Sequence, residues 1–310
     1  RPGGSEGLIY GRFNGPDQEI LEDRLALWEG ADQAAVFSTG LSAITTALMA
    51  HMQAGDTIIH SGPLYAASEK LIDSIFTNYG VAAADFPASA SLDEVRDLFE
   101  QTRASSRISA IYLESPANPT NDLIDIAGIV RLRDELYADS PDDKPVVIVD
   151  NTFLGPVFQQ PVRHGADISI YSLTNYKGGH SDLVAGAAVG SHAALQPIMQ
   201  LRNTIGTITD PHTSWMLLRS LETVALRMQR AEQNARAVCD FLRDHPKVER
   251  VGFLGHLDPA SEQGRIFAGH CSGAGSTFSL LLRGGEAECF RMLDQLQLVK
   301  LAVSLGGTES

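Results

Sequence analysis

The chain has 310 residues, of which 44% are hydrophobic, so it can bury the core of one large globular domain and a smaller one. Its formal net charge of -14 argues against a nucleic-acid-binding protein, because phosphate contacts need clustered Lys and Arg. The three cysteines lack C-x-x-C spacing, and no stretch approaches the roughly 18 to 20 apolar residues of a membrane span. We therefore expect a cytoplasmic protein without disulfides, bound metal or a membrane segment.

The first two thirds of the chain alternate between helical and extended patterns. Apolar residues recur at helical intervals after Asp17, and LSAITTALMAHM predicts a second helix behind Thr39-Gly40. Short apolar runs then alternate with amphipathic segments, at residues 57–60, 81–86, 108–114, 146–151 and 167–172. Continuous apolar strands separated by helices indicate an α/β fold, with a mostly parallel sheet and helices on both faces.

The last third of the chain follows a different pattern. A helical stretch over about residues 210–243 precedes the apolar runs KVERVGF, STFSLLL and VKLAVSL, which predict strands, with a helix over 286–296 between the last two. We expect residues 17–226 to form the large domain and residues 227–310 a smaller, incomplete α+β domain. The chain opens on Arg1 and ends in SLGGTES without a closing element, which indicates a fragment.

Polar residues that follow the apolar runs are the candidate site residues, because ligands of open α/β sheets bind beyond the carboxyl ends of the strands. Gly40 and Leu41 open a helix whose free amides suit a phosphate, although the same residues also make a plain helix cap. Asp150 ends the most apolar strand and costs desolvation unless a cation pairs with it; the alternative is a strand-end cap. Ser172 and Thr174 offer two hydroxyls to one anion.

Two further residues suit a flat ligand. Tyr65 can present its ring face, and Asn118 can bond a ring substituent, although a half-buried aromatic and a turn-holding amide are the ordinary alternatives. The combined set describes a planar, phosphorylated cofactor with a basic ring nitrogen, which matches pyridoxal 5'-phosphate (PLP). A nicotinamide dehydrogenase is disfavoured because the G-x-G-x-x-G turn is missing, and no P-loop motif occurs.

Ordered motifs along the whole chain resemble the Cys/Met-metabolism family of PLP-dependent enzymes, the group of cystathionine γ-synthase, cystathionine γ- and β-lyases and methionine γ-lyase. These motifs are LIYGRFNGPDQEILEDRLALWEG, VFSTGLSAI, HSGPLYAAS, LESPANPTN, VVIVDNTF, YSLTNYKGGHSDLVAG, GAGSTFS and VKLAVSLGGTES. The resemblance implies a fold-type-I architecture, an amino-acid substrate, and β- or γ-elimination or replacement on a sulfur-containing or O-acylated amino acid.

The resemblance also implies a role for each candidate residue. Gly40, Leu41, Ser172 and Thr174 would hold the phosphate. Tyr65 would stack on the ring, Asp150 would pair with the pyridinium nitrogen, and Asn118 would touch the phenolic oxygen. Tyr10 and Arg12, in an arm over residues 1–16, would reach the phosphate of a neighbouring subunit, so the protein would be a homodimer or homotetramer. Ser304 would lie near the substrate carboxylate.

The sequence departs from the family pattern at three places. The position of the Schiff-base lysine in S-x-T-K-Y-x-x-G-H-S/G-D is occupied by Asn175, whose carboxamide can neither link to the cofactor nor shuttle a proton. Ala67 occupies the position of a Cys site in the methionine γ-lyases, so the resemblance does not support specificity for methionine. The family's C-terminal arginine, a bidentate clamp for the substrate carboxylate, would lie beyond Ser310.

Lys177 is the lysine nearest to the altered motif, and two interpretations compete for it. It is either a displaced substitute for the lost lysine or a surface lysine before a Gly-Gly turn. If residues 174–177 are extended, the two side chains start roughly 6.6 Å apart along one face, so we favour the surface interpretation. Asn175 leaves two functions open: an enzyme of the family, or an impaired member that binds PLP non-covalently.

Overall fold

The computed structural model describes residues 7–308. Its α-helices are α1 (Pro16–Glu29), α2 (Gly40–Met49), α3 (Ala66–Lys70), α4 (Leu92–Arg103), α5 (Ile126–Leu136), α6 (His192–Ile205), α7 (Pro211–Leu221), α8 (Val224–Arg243), α9 (Glu262–His270) and α10 (Glu286–Gln295). Its strands are β1 (Gln33–Phe37), β2 (Thr57–Gly62), β3 (Ala82–Pro87), β4 (Ile108–Glu114), β5 (Val146–Asp150), β6 (Ile168–Ser172), β7 (Gly186–Gly190), β8 (Val248–Gly252) and β9 (Ser279–Leu282).

Seven strands form one mixed sheet in the order β1-β7-β6-β5-β4-β2-β3. The five strands from β2 to β6 pair in parallel, as the alternating pattern predicted. β7 is antiparallel to both of its neighbours, β6 and β1. The prediction missed β1 and β7, whose short runs QAAVF and GAAVG each contain two Ala, and the second also two Gly, residues with weak strand preference. They are strands because the sheet pairs and buries them.

Helices cover both faces of this sheet, and each face has its own apolar core. On one face, α2 and α6 pack against residues such as Tyr112, Ile148 and Ile170. On the opposite face, α1, α7 and α8 pack against Tyr171 and its neighbours, while α4 and α5 cover the strands near the β3 edge. The α/β architecture with helices on both faces is therefore confirmed.

The C-terminal part contains a two-stranded antiparallel sheet of β8 and β9, with α9 and α10. The predicted helix over 210–243 is two helices, α7 and α8, separated at residues 222–223. The predicted strand over 299–305 is wrong: this segment forms no strand, and Val303 is 97% exposed. Its apolar composition suits a strand, but no neighbouring strand pairs with it. Within residues 7–308, none of the helices is both long and apolar enough to cross a bilayer.

Candidate functional site

A cavity of about 300 Å³ lies beyond the carboxyl ends of β4, β5 and β6, against the N-terminus of α2. This is the position that the parallel-sheet rule predicts for a ligand. The structure brings most of the candidate residues to its wall, namely Gly40, Leu41, Tyr65, Asn118, Asp150, Ser172, Thr174, Asn175 and Ser304. Residues that are far apart in the sequence therefore form one site.

The N-terminus of α2 presents two free amides to this cavity. Thr39 and Ser42 form a reciprocal cap, in which the Ser42 amide donates to Thr39 Oγ1 at 2.8 Å and the Thr39 amide donates to Ser42 Oγ at 3.0 Å. Among residues 7–308, the amides of Gly40 and Leu41 are left without a hydrogen-bond acceptor. Free amides and the helix dipole together favour an anion at this point.

Gly40 is required by the close approach of α2 to β6. A Cβ atom on Gly40 would lie 2.8 Å from Ser172 Cβ, which is closer than side chains approach one another. The Ser172 hydroxyl therefore lies directly beside the first turn of α2. The Thr174 hydroxyl instead donates to the Ala185 carbonyl at 3.3 Å and accepts from the Ala185 amide at 3.2 Å, so its proton is already used. Of the two hydroxyls, Ser172 is the better anion donor.

Asp150 supplies the negative group of the site. Its Oδ1 accepts from the Thr152 amide at 2.9 Å, and the Tyr112 hydroxyl lies 3.5 Å from Oδ2. Burial raises the pKa of Asp150, while the hydrogen bonds from Thr152 oppose that shift. A half-buried carboxylate of this kind is stabilised by a cation that enters the cavity.

Glu114 is a site residue that the sequence analysis missed. It is the last residue of β4, and it is paired in register with Asp150 of β5. Both of its carboxylate oxygens accept from the Tyr65 amide, at 2.9 and 2.8 Å, so Glu114 fixes the backbone that carries the Tyr65 ring. Burial, together with the nearby Asp150, raises the pKa of Glu114 to about 8. Like Asp150, Glu114 is a carboxylate at the end of an apolar strand, so the same sequence pattern marks it.

Asn175 lines the cavity through a turn rather than a strand. Residues 173–178 form consecutive turns, so the extended geometry assumed for Asn175 and Lys177 is wrong. The Asn175 Nδ2 donates to the Leu305 carbonyl oxygen at 2.8 Å. This bond joins the turn to residues 303–305, which line the same cavity and include Ser304.

Lys177 is buried, so its interpretation as a surface lysine is wrong. Its side chain is completely inaccessible, its Nζ donates to the Thr152 carbonyl oxygen at 2.8 Å, and it lies 4.5 Å from the centre of the Tyr171 ring. Burial lowers the pKa of Lys177 to about 7. Lys177 does not line the cavity, and Tyr171 belongs to the core on the opposite face of the sheet. The Lys177 ammonium therefore lies outside the cavity, on the side of the sheet where Tyr171 packs.

Tyr10 and Arg12 lie outside the cavity. Tyr10 is 58% exposed, and the Arg12 guanidinium donates to the Asn203 carbonyl oxygen and lies 4.8 Å from the centre of the Phe13 ring. Their contact with a neighbouring subunit remains a prediction. Across residues 7–308, no cluster of His, Cys, Asp and Glu is arranged to hold a metal ion.

Comparisons with known proteins identify relatives along the whole chain. The family model for the Cys/Met metabolism PLP-dependent enzyme matches residues 1–310. The L-methionine gamma-lyase of Fusobacterium nucleatum subsp. polymorphum is 33% identical over 307 residues, covering 98% of this chain and 74% of the relative. The cystathionine gamma-synthase of Mycobacterium tuberculosis (strain ATCC 25618 / H37Rv) is 35% identical over 305 residues, covering 98% and 75%.

Solved structures show the same architecture. The cystathionine gamma synthase of Xanthomonas oryzae pv. oryzae, in complex with aminoacrylate and cysteine, superposes with a TM-score of 0.89 at 29% identity, covering 99% of this chain and 76% of that chain. The cystathionine gamma-lyase of Lactobacillus plantarum, complexed with L-serine, gives a TM-score of 0.87 at 32% identity, covering 100% and 77%.

Proposed function

The chain belongs to the family of Cys/Met-metabolism PLP-dependent enzymes, and on that premise we propose that its cavity binds PLP and carries out γ-elimination or γ-replacement on an amino acid, as in trans-sulfuration. One observation carries the proposal: the free amides of α2 and the half-buried carboxylate of Asp150 line one cavity. An anion seat and a cation partner in one cavity match the two charged ends of PLP.

The residues present fit this cofactor. The amides of Gly40 and Leu41 and the hydroxyl of Ser172 would hold the phosphate, while Asp150 would pair with the ring nitrogen. Tyr65, fixed through its amide by Glu114, would cover the ring, and Asn118 would reach a ring substituent. Bound PLP supplies an electron sink that stabilises negative charge at the substrate α-carbon.

The chain's own proton chemistry differs from the family pattern at Asn175. A carboxamide carries no titratable proton near neutral pH, so this residue cannot move a proton to or from a substrate carbon. Glu114 is a buried group of the cavity wall whose pKa of about 8 lets it hold a proton near neutrality. It keeps that proton beside Asp150, so that the two carboxyl groups do not repel each other.

A second function is favoured by the Asn175 side chain, which bonds to Leu305 and presents no amine to the cavity. On this alternative, the protein binds PLP or an amino-acid adduct of PLP non-covalently and does not turn substrate over. We further propose that the protein is cytoplasmic and forms a homodimer or homotetramer in which Tyr10 and Arg12 complete a neighbouring site.

Product formation separates the two functions. Protein incubated with PLP and an amino acid that bears a γ-sulfur or O-acyl group is assayed for release of a 2-oxo acid or a thiol. The enzymatic proposal predicts slow product release by the unaltered chain and faster release by Asn175→Lys. The second function predicts PLP binding without product. Absence of product from an Asn175→Lys protein that holds PLP covalently would contradict the proposed reaction.

A further inference from the structure

Lys177 is a buried, charged group that the proposed reaction does not use. It lies on the side of the sheet where Tyr171 packs against α1, α7 and α8. Asp150 and Ser172 lie on the other side, because each follows by two residues a strand residue, Ile148 or Ile170, that packs against α2 and α6. Lys177 is thus separated from the cavity by the loop that follows β5.

Thr152, in that loop, connects the two sides. Its carbonyl oxygen accepts from Lys177 Nζ at 2.8 Å, its amide donates to Asp150 Oδ1 at 2.9 Å, and its hydroxyl accepts from the Ser172 amide at 2.9 Å. A single residue therefore carries the contact of the ammonium to both Asp150 and Ser172. A shift of Thr152 moves the carboxylate and the hydroxyl together.

The charged and titratable groups around Lys177 come from several elements. Glu29 of α1 and Asp150 of β5 act electrostatically on the ammonium, and Tyr171 of β6 lies beside it and donates to Glu29. Arg227 of α8 donates to the carbonyl oxygens of Tyr176 and Lys177. Two carboxyl groups and a carbonyl oxygen thus favour a cation that burial disfavours, and they offset part of the cost of burying it.

We propose that Lys177 is a positioning residue that holds Thr152, and through it Asp150 and Ser172, in place for PLP, and whose positive charge adds to the hydrogen bonds of Thr152 in favouring the ionised form of Asp150. The proposal rests on PLP binding in the cavity. It differs from the displaced-catalyst interpretation, because the amine acts through Thr152 and never contacts the cofactor.

The test compares the dissociation constant for PLP of the unaltered protein, Lys177→Met and the surface control Lys144→Met, by equilibrium dialysis at pH values on both sides of about 7. Methionine keeps an unbranched side chain one atom shorter and removes both the charge and the hydrogen bond to Thr152. At pH values below about 7, we expect Lys177→Met to bind PLP about tenfold more weakly than the unaltered protein. As the pH rises and the Lys177 ammonium loses its proton, the unaltered protein should lose affinity for PLP. In Lys177→Met that loss is missing, while the ionisations of PLP itself remain in all three proteins.

Equal affinities and equal pH profiles of the unaltered protein and Lys177→Met would overturn the proposal. Absence of PLP binding by the unaltered protein would instead overturn the proposed function. If Lys177→Met does not fold, lysine-selective NMR of the unaltered protein replaces it. The four other lysines, Lys70, Lys144, Lys247 and Lys300, are exposed, so Lys177 is identified by its depressed pKa. We expect PLP to shift the Lys177 resonance and its pKa; a Lys177 titration unchanged by saturating PLP contradicts the coupling.

Discussion

The side-chain amide of Asn175 donates to the carbonyl oxygen of Leu305 over 2.8 Å, which ties the turn after β6 to the segment that carries Ser304. In the family pattern a lysine at this position reaches the cofactor. Here the side chain is engaged with the cavity wall, so the contact that Asn175 makes is structural rather than chemical.

Replacing Asn175 by lysine should restore covalent attachment of PLP. The variant loses the bond to Leu305 but places a primary amine on the cavity wall, within the residues that line it. We expect visible absorbance of the bound cofactor and, after borohydride reduction and peptide mapping, cofactor fixed on residue 175. Asn175→Met is the matched control, because it also loses the Leu305 bond but has no amine. An unlabelled residue 175 in Asn175→Lys would refute this prediction.

In the unaltered protein, Lys177 should not become labelled. Its Nζ is held by the Thr152 carbonyl oxygen behind the cavity, and a misplacement of about 1 Å already costs two orders of magnitude in rate. The same borohydride treatment and peptide mapping should therefore recover Lys177 unmodified. Recovery of cofactor on Lys177 would make the displaced lysine the attachment site.

The sequence allowed prediction of the features that local pattern and elementary chemistry determine. Continuous apolar runs identified the five strands from β2 to β6, and the strand-end rule identified Asp150 and Ser172. The start of α2 was predicted because Thr39 is a strong helix cap. These features depend on few residues near one another in the chain.

Features that depend on distant partners were not predictable. Lysine is almost never fully buried unless it is paired, and the partner of Lys177 is a backbone carbonyl 25 residues away that no motif marks. The same limit applies to residues 299–305, where apolar composition predicted a strand but strand formation requires a partner strand. Glu114 was predictable in principle, since it ends an apolar strand as Asp150 does.

Gly40→Ala should weaken PLP binding. The added methyl group would lie 2.8 Å from Ser172 Cβ and push the start of α2 away from β6, and overpacking of this kind costs about 1–3 kcal/mol. We expect PLP affinity about tenfold lower, measured by equilibrium dialysis. Gly269→Ala is the matched control, because a methyl group there meets nothing within 4 Å. Unchanged affinity of Gly40→Ala would remove the α2 N-terminus from the site.

Glu29 should make the free energy of unfolding depend on pH. Burial raises the pKa of Glu29 from 4.5 to about 7, against the hydrogen bond from Tyr171. Between these values the folded protein keeps the Glu29 proton while the unfolded chain releases it, so this contribution to stability is full below 4.5 and is lost as the pH rises through about 7. Urea unfolding of Glu29→Gln should show a smaller decrease in stability over this window than the unaltered protein. Parallel pH profiles would contradict the assignment.

PLP binding by a matched pair of carboxylate variants decides whether Asp150 pairs with the ring nitrogen of PLP. Asp150 lines the cavity, whereas Asp85 lies exposed on β3 with no role in the site. Equilibrium dialysis should show that the unaltered protein takes up PLP, that Asp150→Ala binds it at least about tenfold more weakly, and that Asp85→Ala binds it as the unaltered protein does. No uptake at millimolar PLP, or equal affinities of the two variants, would show that PLP is not held in this cavity by Asp150.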